Sequence, residues 1–231
     1  MPSMQGSQLD MESKVVSVFN SISDKYDLMD FIMSLGMDQS WRRQMVKLLS
    51  PAPGSNILDC GSGTGKLAIQ LRKKCRDCNL TCLDITQSMF RTEKVPGARF
   101  VVASAEKLPF EDSSVDYVTS AFLTRNLGSA ETYFSEVNRV LRRGGRFVNL
   151  DIYEPPHGFF QSVFSAYFHR LIPLIGDFLT SSKSYSYLSS SVRAFHSPEE
   201  ISAMIREAGL RQISVHKRML GIINIHLAEK A

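Results

Sequence analysis

The stretch Ile57-Leu58-Asp59-Cys60-Gly61-Ser62-Gly63-Thr64-Gly65 narrows the folds open to this 231-residue chain more than any other. It reads as a short buried strand that runs into a glycine turn and then, from Lys66-Leu67-Ala68-Ile69 onward, into a helix. Three glycines at alternate positions have no side chains to obstruct a ligand, so the backbone can bend sharply and come close to a bound molecule. A phosphate-binding loop requires Gly-Lys-Ser/Thr, and here Gly65-Lys66 precedes Leu67, which offers no hydroxyl to a magnesium ion. A dinucleotide fingerprint spaces its glycines G-x-G-x-x-G, whereas these run G-x-G-x-G with Asp59 two residues ahead.

A second apolar strand, Leu80-Thr81-Cys82-Leu83-Asp84, ends in a carboxylate about 20 residues beyond the last glycine, where a doubly wound fold places a ribose ligand. Asp84 also stands where it can cap the helical stretch opened by Ile85-Thr86-Gln87, and the two roles are compatible. The glycine spacing resembles the first motif of class I S-adenosylmethionine-dependent methyltransferases, in which the turn lies beside the methionine part of the cofactor. That resemblance implies S-adenosyl-L-methionine as cofactor. It puts Asp59, Gly61, Ser62, Gly63, Thr64, Gly65, Asp84 and Ile85 around it.

Alternation continues along the chain. Strands are expected near 55–60, 79–84, 99–103, 115–121 and 146–151, with helices near 65–75, 86–93 and 130–141. Ser197-Pro198-Glu199-Glu200 starts a further helix, with Ser as cap, Pro at the first helical position and Glu three residues on. Apolar runs at 211–219 and 221–229 turn at Gly221 and read as a closing hairpin. The expected fold is α/β, a Rossmann-like doubly wound seven-stranded sheet with an antiparallel last strand and its ligand at the carboxyl edge. Residues 1–13 are expected to be disordered and 14–231 to form one domain. Within it, 14–50 is an N-terminal helical cap, 55–152 the cofactor-binding core, 155–195 an inserted helical lid and 197–231 the closing helix and hairpin.

From Pro155 to Ser182 apolar residues crowd together, yet Gln161, His169, Arg170 and Asp177 interrupt them and Pro173 bends the run. It reads as a lid over a lipid-like substrate, or an edge that dips into a membrane surface at 155–182, or an aromatic-rich core or homodimer contact. No secretory signal is expected from the polar residues Met1–Asp10, so the chain reads as cytoplasmic or peripheral to a membrane. A net charge of +4, from 27 Lys plus Arg against 23 Asp plus Glu, is far from the dense basic stripe of a nucleic-acid binder. Cys75, Cys78 and Cys82 lie close together, but Cys82 sits inside the second strand and no histidine or fourth cysteine completes a zinc set, so the four cysteines read as free thiols with no metal site.

More specific stretches follow: Val18–Met29, Ala105-Glu106-Lys107-Leu108-Pro109-Phe110, Arg125-Asn126, Ser184-Tyr185-Ser186-Tyr187-Leu188 and Gly221–His226. From about residue 14 onward the chain resembles the menaquinone and ubiquinone biosynthesis C-methyltransferases. The resemblance implies that Thr64, Asp84, Ser104, Ala105 and Glu106 line the cofactor, and that Arg125, Asn126 and Tyr26 serve the acceptor. It departs from the family where Lys66 replaces a carboxylate, where Ser104 replaces Asp or Asn, and where Leu123-Thr124 replaces Gly-Leu.

The implied activity is methylation of a ring carbon of a reduced polyprenyl quinone, a lipid-like quinol of the demethylmenaquinol kind. Another lipid or small metabolite as acceptor, or a non-catalytic role in a quinone-synthesis complex, are the alternatives. A ring carbon becomes nucleophilic as its neighbouring phenol ionises, which phenols resist below about pH 10. Arg125 is expected to favour the phenolate, with pairing to Asp116 or Glu136 as the competing structural role, and Asn126 or Tyr26 to place the ring.

Overall fold

The computed structural model describes residues 4–155, 158–180 and 184–231. Expectations for residues 1–3, and the parts of the lid at 156–157 and 181–183, lie outside them. Three helices come first: α1 (Met4–Ile22), α2 (Tyr26–Met33) and α3 (Asp38–Leu49). Residues 4–13 belong to α1, against the expected disorder. Its second half carries the apolar residues Val15, Phe19 and Ile22 at helical spacing, and Ile22 is 1% exposed in the packing between cap and lid.

The core alternates as its sequence requires: β1 (Asn56–Cys60), α4 (Lys66–Lys74), β2 (Asn79–Asp84), β3 (Arg99–Val102), β4 (Val115–Ala121), α5 (Ala130–Val140) and β5 (Leu141–Ile152). The last sheet elements, β6 (Leu210–Arg218) and β7 (Ile223–Lys230), form the hairpin. The sheet order is β3-β2-β1-β4-β5-β7-β6. The first five strands pair in parallel, and β7 runs antiparallel to both β5 and β6. Order reverses between β1 and β4, so their carboxyl ends, Cys60 beside Ser120, open the crevice where such sheets bind ligands.

Period-two alternation splits the core between the two faces. Leu58 and Phe147 pack with Tyr133, Phe134 and Ile205 on one side, while Ile57, Val148 and Leu150 pack with Trp41, Met45 and Leu71 on the other. α3 is therefore part of the sheet packing, and α1 and α2 extend from it over the carboxyl edge. Helix α9 (Pro198–Glu207) begins as the sequence indicates, Ser197 Oγ accepting from Glu200 N at 3.2 Å and Glu200 Oε2 accepting from Ser197 N at 2.7 Å.

The lid consists of α6 (Phe159–Ala166), a π-helical turn at Tyr167–Leu171, α7 (Ile172–Thr180) and α8 (Ser184–Arg193). Pro173 falls where the π-helical turn passes directly into α7, so its missing N–H leaves a carbonyl of that turn without its usual helical donor. α7 and α8 pack at Gly176, where any Cβ would lie 2.3 Å from the Tyr185 ring. Cap and lid share a core of Ile22, Met29, Ile172, Tyr185 and Leu188. His169 further pins the lid to the chain after β5, contacting Glu154 through Nε2 and Ser189 Oγ at 2.6 Å through Nδ1.

Two further expectations are corrected. The helix expected near 86–93 is instead a pair of one-turn 3₁₀ segments, Gln87–Met89 and Thr92–Lys94. Extended backbone at Phe90 between them lets its ring pack on Phe100, centroids 5.1 Å apart, while Met89 buries separately. Cys75 and Cys78 form a disulfide, so only Cys60 and Cys82 are free thiols. The turn that ends α4 brings the two Cα atoms to 5.5 Å, within disulfide reach.

Candidate active site

The glycine turn is held from two sides. Ser62 N donates to Leu83 O at 3.0 Å and Gly63 N to Asp84 Oδ2 at 2.8 Å, while Thr86 N donates to Asp84 Oδ1 at 2.8 Å. Burial raises the Asp84 carboxyl above its ordinary value even with these donors. At Gly61, φ is +63° and a Cβ would meet Leu123 Cδ1 at 2.8 Å, so a side chain there would close the turn.

Beside the turn lies a narrow cleft of about 70 Å³. Gly61, Gly63, Asp84, Ile85, Ser104, Ala105 and Glu106 all line it, as the sequence implies. Ser104 Oγ donates to Glu12 Oε1 at 2.6 Å, so α1 contributes a carboxylate to this wall that sequence patterns do not mark. The Glu106 carboxylate accepts from Gly128 N and Ser129 N at 3.2 and 2.6 Å, which fixes the loop entering α5.

A smaller recess of about 20 Å³ lies past the glycines and is lined by Asp59, Ser62 and Thr64. Asp59 Oδ1 accepts from Thr119 Oγ1 at 2.7 Å; Oδ2 is buried with no partner among the described residues. Burial pushes this carboxyl up to about 7. Thr64 Oγ1 donates to Asp27 Oδ1 at 2.6 Å and so ties the turn to α2. Gly65 lines neither space; with φ +82° it leads into α4.

Lys66 sits in a cluster that joins α2, α3 and α4. Its Nζ donates to Asp30 Oδ2 at 2.8 Å and to Asp27 O at 3.3 Å, and lies 3.6 Å from Asp38. Arg42 bonds Asp38 at 2.6 Å and Asp30 at 3.3 Å. Each of these charges has a counterion, as burial demands.

A second cavity, of about 460 Å³, opens between cap, lid and sheet edge, walled by apolar residues such as Met33, Ile152, Phe164 and Phe168. Arg125 lines it, its guanidinium 2.6 Å from Asp151; Asp116 and Glu136 instead pair with Arg142 and Arg139. Arg125 Nε is buried with no partner among the described residues. Among those residues, Tyr26 and Phe122 alone line both the large cavity and the cleft. Burial and the Asp30 charge push the Tyr26 phenol up, so it stays protonated and able to donate. Asn126 lies on the cleft side rather than with Arg125, its Nδ2 donating to Phe122 O at 3.1 Å.

Sequence patterns single out Tyr26 and Arg125 but miss Phe122, Asp30, Arg42 and Asp151. Phe122 carried a signal, since it opens the Phe-Leu-Thr-Arg-Asn stretch at a strand end. The three charged residues carried none, because their roles depend on contacts across helices and strands.

The sequence pattern of the ubiE/COQ5 methyltransferase family matches residues 7–230. The ubiquinone/menaquinone biosynthesis C-methyltransferase UbiE of Rickettsia bellii (strain RML369-C) is 38% identical over 232 residues, covering 95% of this chain and 93% of that protein. The enzyme of the same name from Rickettsia felis is 37% identical, covering 94% and 92%. Among solved structures, a SAM-dependent methyltransferase from Aquifex aeolicus superposes with a TM-score of 0.60 at 16% identity, covering 82% of this chain and 89% of that one, a likeness of fold.

Proposed function

Because the chain belongs to the ubiE/COQ5 methyltransferase family, we propose that it transfers a methyl group from S-adenosylmethionine to a ring carbon of a reduced polyprenyl quinone. The observation that carries this reading is the meeting of two spaces at Tyr26 and Phe122. One is a narrow cleft with Asp84 in its wall, and the other is a large apolar cavity with a single guanidinium, that of Arg125, among its lining residues.

The residues present fit the cofactor. The unpartnered Asp59 Oδ2 is an anionic acceptor for the methionine ammonium, and Asp84 at the end of β2 stands where ribose hydroxyls are met. Ile85, Ser104 and Ala105 flank the remaining length of the cleft, for the adenine. Bound there, S-adenosylmethionine supplies an electrophilic methyl on a sulfonium, so the protein need not provide a covalent nucleophile.

What the chain itself supplies is alignment, dryness and charge. Holding the two reactants in line across the Tyr26–Phe122 boundary is worth up to roughly 7–11 kcal/mol of barrier. The apolar walls exclude water from the reacting carbon and strengthen electrostatics inside. Arg125 favours ionisation of the acceptor phenol by stabilising the phenolate from the cavity wall. Tyr26, protonated, donates a hydrogen bond to the ring oxygen or to a bridging water.

The rim of the large cavity supports an acceptor drawn from a bilayer. Leu35, Phe160 and Leu220 line its mouth at 62, 59 and 66% exposure, and Phe159, Leu174 and Phe178 nearby in the lid are more exposed still. No helix among the described residues is long and apolar enough to cross a membrane, so contact would be with the surface.

Incubation with methyl-labelled S-adenosylmethionine and a chemically reduced lipid extract, followed by mass spectrometry of the quinone fraction, tests the reading. One labelled methyl on a naphthoquinone or benzoquinone ring is expected. Label on another lipid only, or no transfer at all, would overturn it.

A further inference from the structure

The geometry points to Phe122 as the residue that selects the acceptor: its ring forms the wall against which the acceptor ring must lie to meet the methyl group. This inference rests on the aromatic acceptor proposed above.

Phe122 directly follows β4 in a left-handed conformation, φ +62°, which a bulky side chain adopts only where its surroundings hold it there. Three backbone contacts do so. Phe122 N donates to Leu150 O at 2.8 Å, and Phe122 O accepts from Arg125 Nη1 at 2.9 Å and from Asn126 Nδ2 at 3.1 Å. Strained backbone retained at a cavity wall, and anchored by the residues of its own motif, is the arrangement expected where side-chain direction matters to function.

The ring is fixed as firmly as the backbone. The guanidinium carbons of Arg42 and Arg125 lie 5.2 and 5.6 Å from its centroid, and the Trp41 ring approaches it edge-on at 6.4 Å. Arg42 is itself held by Asp30 and Asp38, and Arg125 by Asp151, so neither cation is at liberty to swing away and release the ring. A firmly held aromatic ring thus stands at the boundary between cleft and cavity, and Tyr26 is the other residue common to both.

An acceptor carbon can be methylated only if it reaches this boundary in line with the cofactor's sulfur–methyl bond. How far a ring of given size advances is set by the side chain at 122. A two-ring and a one-ring quinol therefore present different carbons, or the same carbon at different depths. Shape discrimination in apolar pockets of this kind is worth roughly 10–200-fold in kcat/KM.

The test compares Phe122→Leu and Phe122→Ala with the parent enzyme on reduced naphthoquinone and reduced benzoquinone acceptors carrying the same prenyl tail. The expected result is that the ratio of the two kcat/KM values moves by roughly 10-fold or more in the alanine variant and by less in the leucine variant. S-adenosylmethionine affinity is measured for each variant by calorimetry, because Phe122 also lines the cleft proposed for the cofactor; a change there scales both acceptors alike and leaves their ratio untouched. A ratio constant within about twofold, with both acceptors falling in parallel, would assign Phe122 a packing role and overturn the inference. Phe122→Leu keeps apolar bulk and serves as the folded comparison if the alanine variant melts below assay temperature. Parent enzyme inactive on both acceptors would overturn the quinol reading itself, a result distinct from an unchanged ratio.

Discussion

Arg125 Nη1 lies 2.6 Å from Asp151 Oδ1, and the Asp151 side chain is wholly buried. Ile152 N and Arg125 N also donate to this carboxylate, at 2.9 and 3.3 Å, yet burial still raises it above the usual carboxylate range. The guanidinium is therefore counterion and cavity wall at once. Removing it does more than remove a substrate contact.

Arg125→Ala leaves Asp151 buried without its cation, a change that costs about 3–5 kcal/mol in comparable pairs. A lowered melting temperature should accompany the loss of turnover. Asp151→Asn in the same chain should restore much of the stability, because it removes the stranded charge, but none of the turnover. Cofactor affinity should remain nearly intact in the folded variants, since Arg125 does not line the cleft proposed for the cofactor. Thermal melting, calorimetric titration and steady-state rates measured together check this. A more than tenfold loss of cofactor affinity would contradict the placement of Arg125 on the acceptor side.

The strand-to-glycine turn, Asp84 and the capping box at Ser197 were legible because each is a local device whose chemistry is complete within a few residues. Seven strands and the antiparallel close were likewise legible from alternation and turn signals. The 86–93 segment misled because its apolar residues suit a helix locally, while burial of Met89 and the contact of Phe90 with Phe100 demand extended backbone between them. The charges of the cap carried no signal at all. On a short amphipathic helix, Asp27 and Asp30 look like a solvated face until Lys66 and Arg42 are brought against them from other elements. Lys66, a departure from the family pattern when read alone, is a member of that cluster.

Lys66→Met tests what the cluster does. Asp30 and Asp38 would then share Arg42 alone, and the loss should be about 1–3 kcal/mol by urea denaturation. Asp30→Asn should cost a similar amount, and the double variant less than the sum, with a coupling above about 0.5 kcal/mol. Lys66 and Thr64 also tie α2, and with it Tyr26, to the glycine turn. Acceptor kcat/KM should accordingly fall by roughly tenfold in Lys66→Met, and Lys66→Arg should recover part of it. Strictly additive stabilities with unchanged kinetics would show that the contacts are incidental.

Asp59 sets stability against ligand binding. Its carboxyl is pushed up to about 7 in the folded chain from an ordinary 3.8, chiefly by burial. Between those values the folded protein holds a proton that the unfolded chain has released. Its contribution to stability is complete below about pH 4 and is lost as pH rises through 7. By this linkage Asp59→Asn should stabilise the cofactor-free protein at pH 8 by up to about 4 kcal/mol and change it little at pH 4. The same substitution removes the anionic acceptor proposed for the methionine ammonium, so cofactor affinity should fall by roughly 10–100-fold. Melting curves at the two pH values, with and without saturating S-adenosylmethionine, separate the two effects. A variant that is more stable when free and gains less from the cofactor would show a buried charge kept for its ligand. One that loses stability at pH 8 would mean that Asp59 acts as a carboxylate partner of Thr119 in the fold, and the cofactor's amine would need another acceptor.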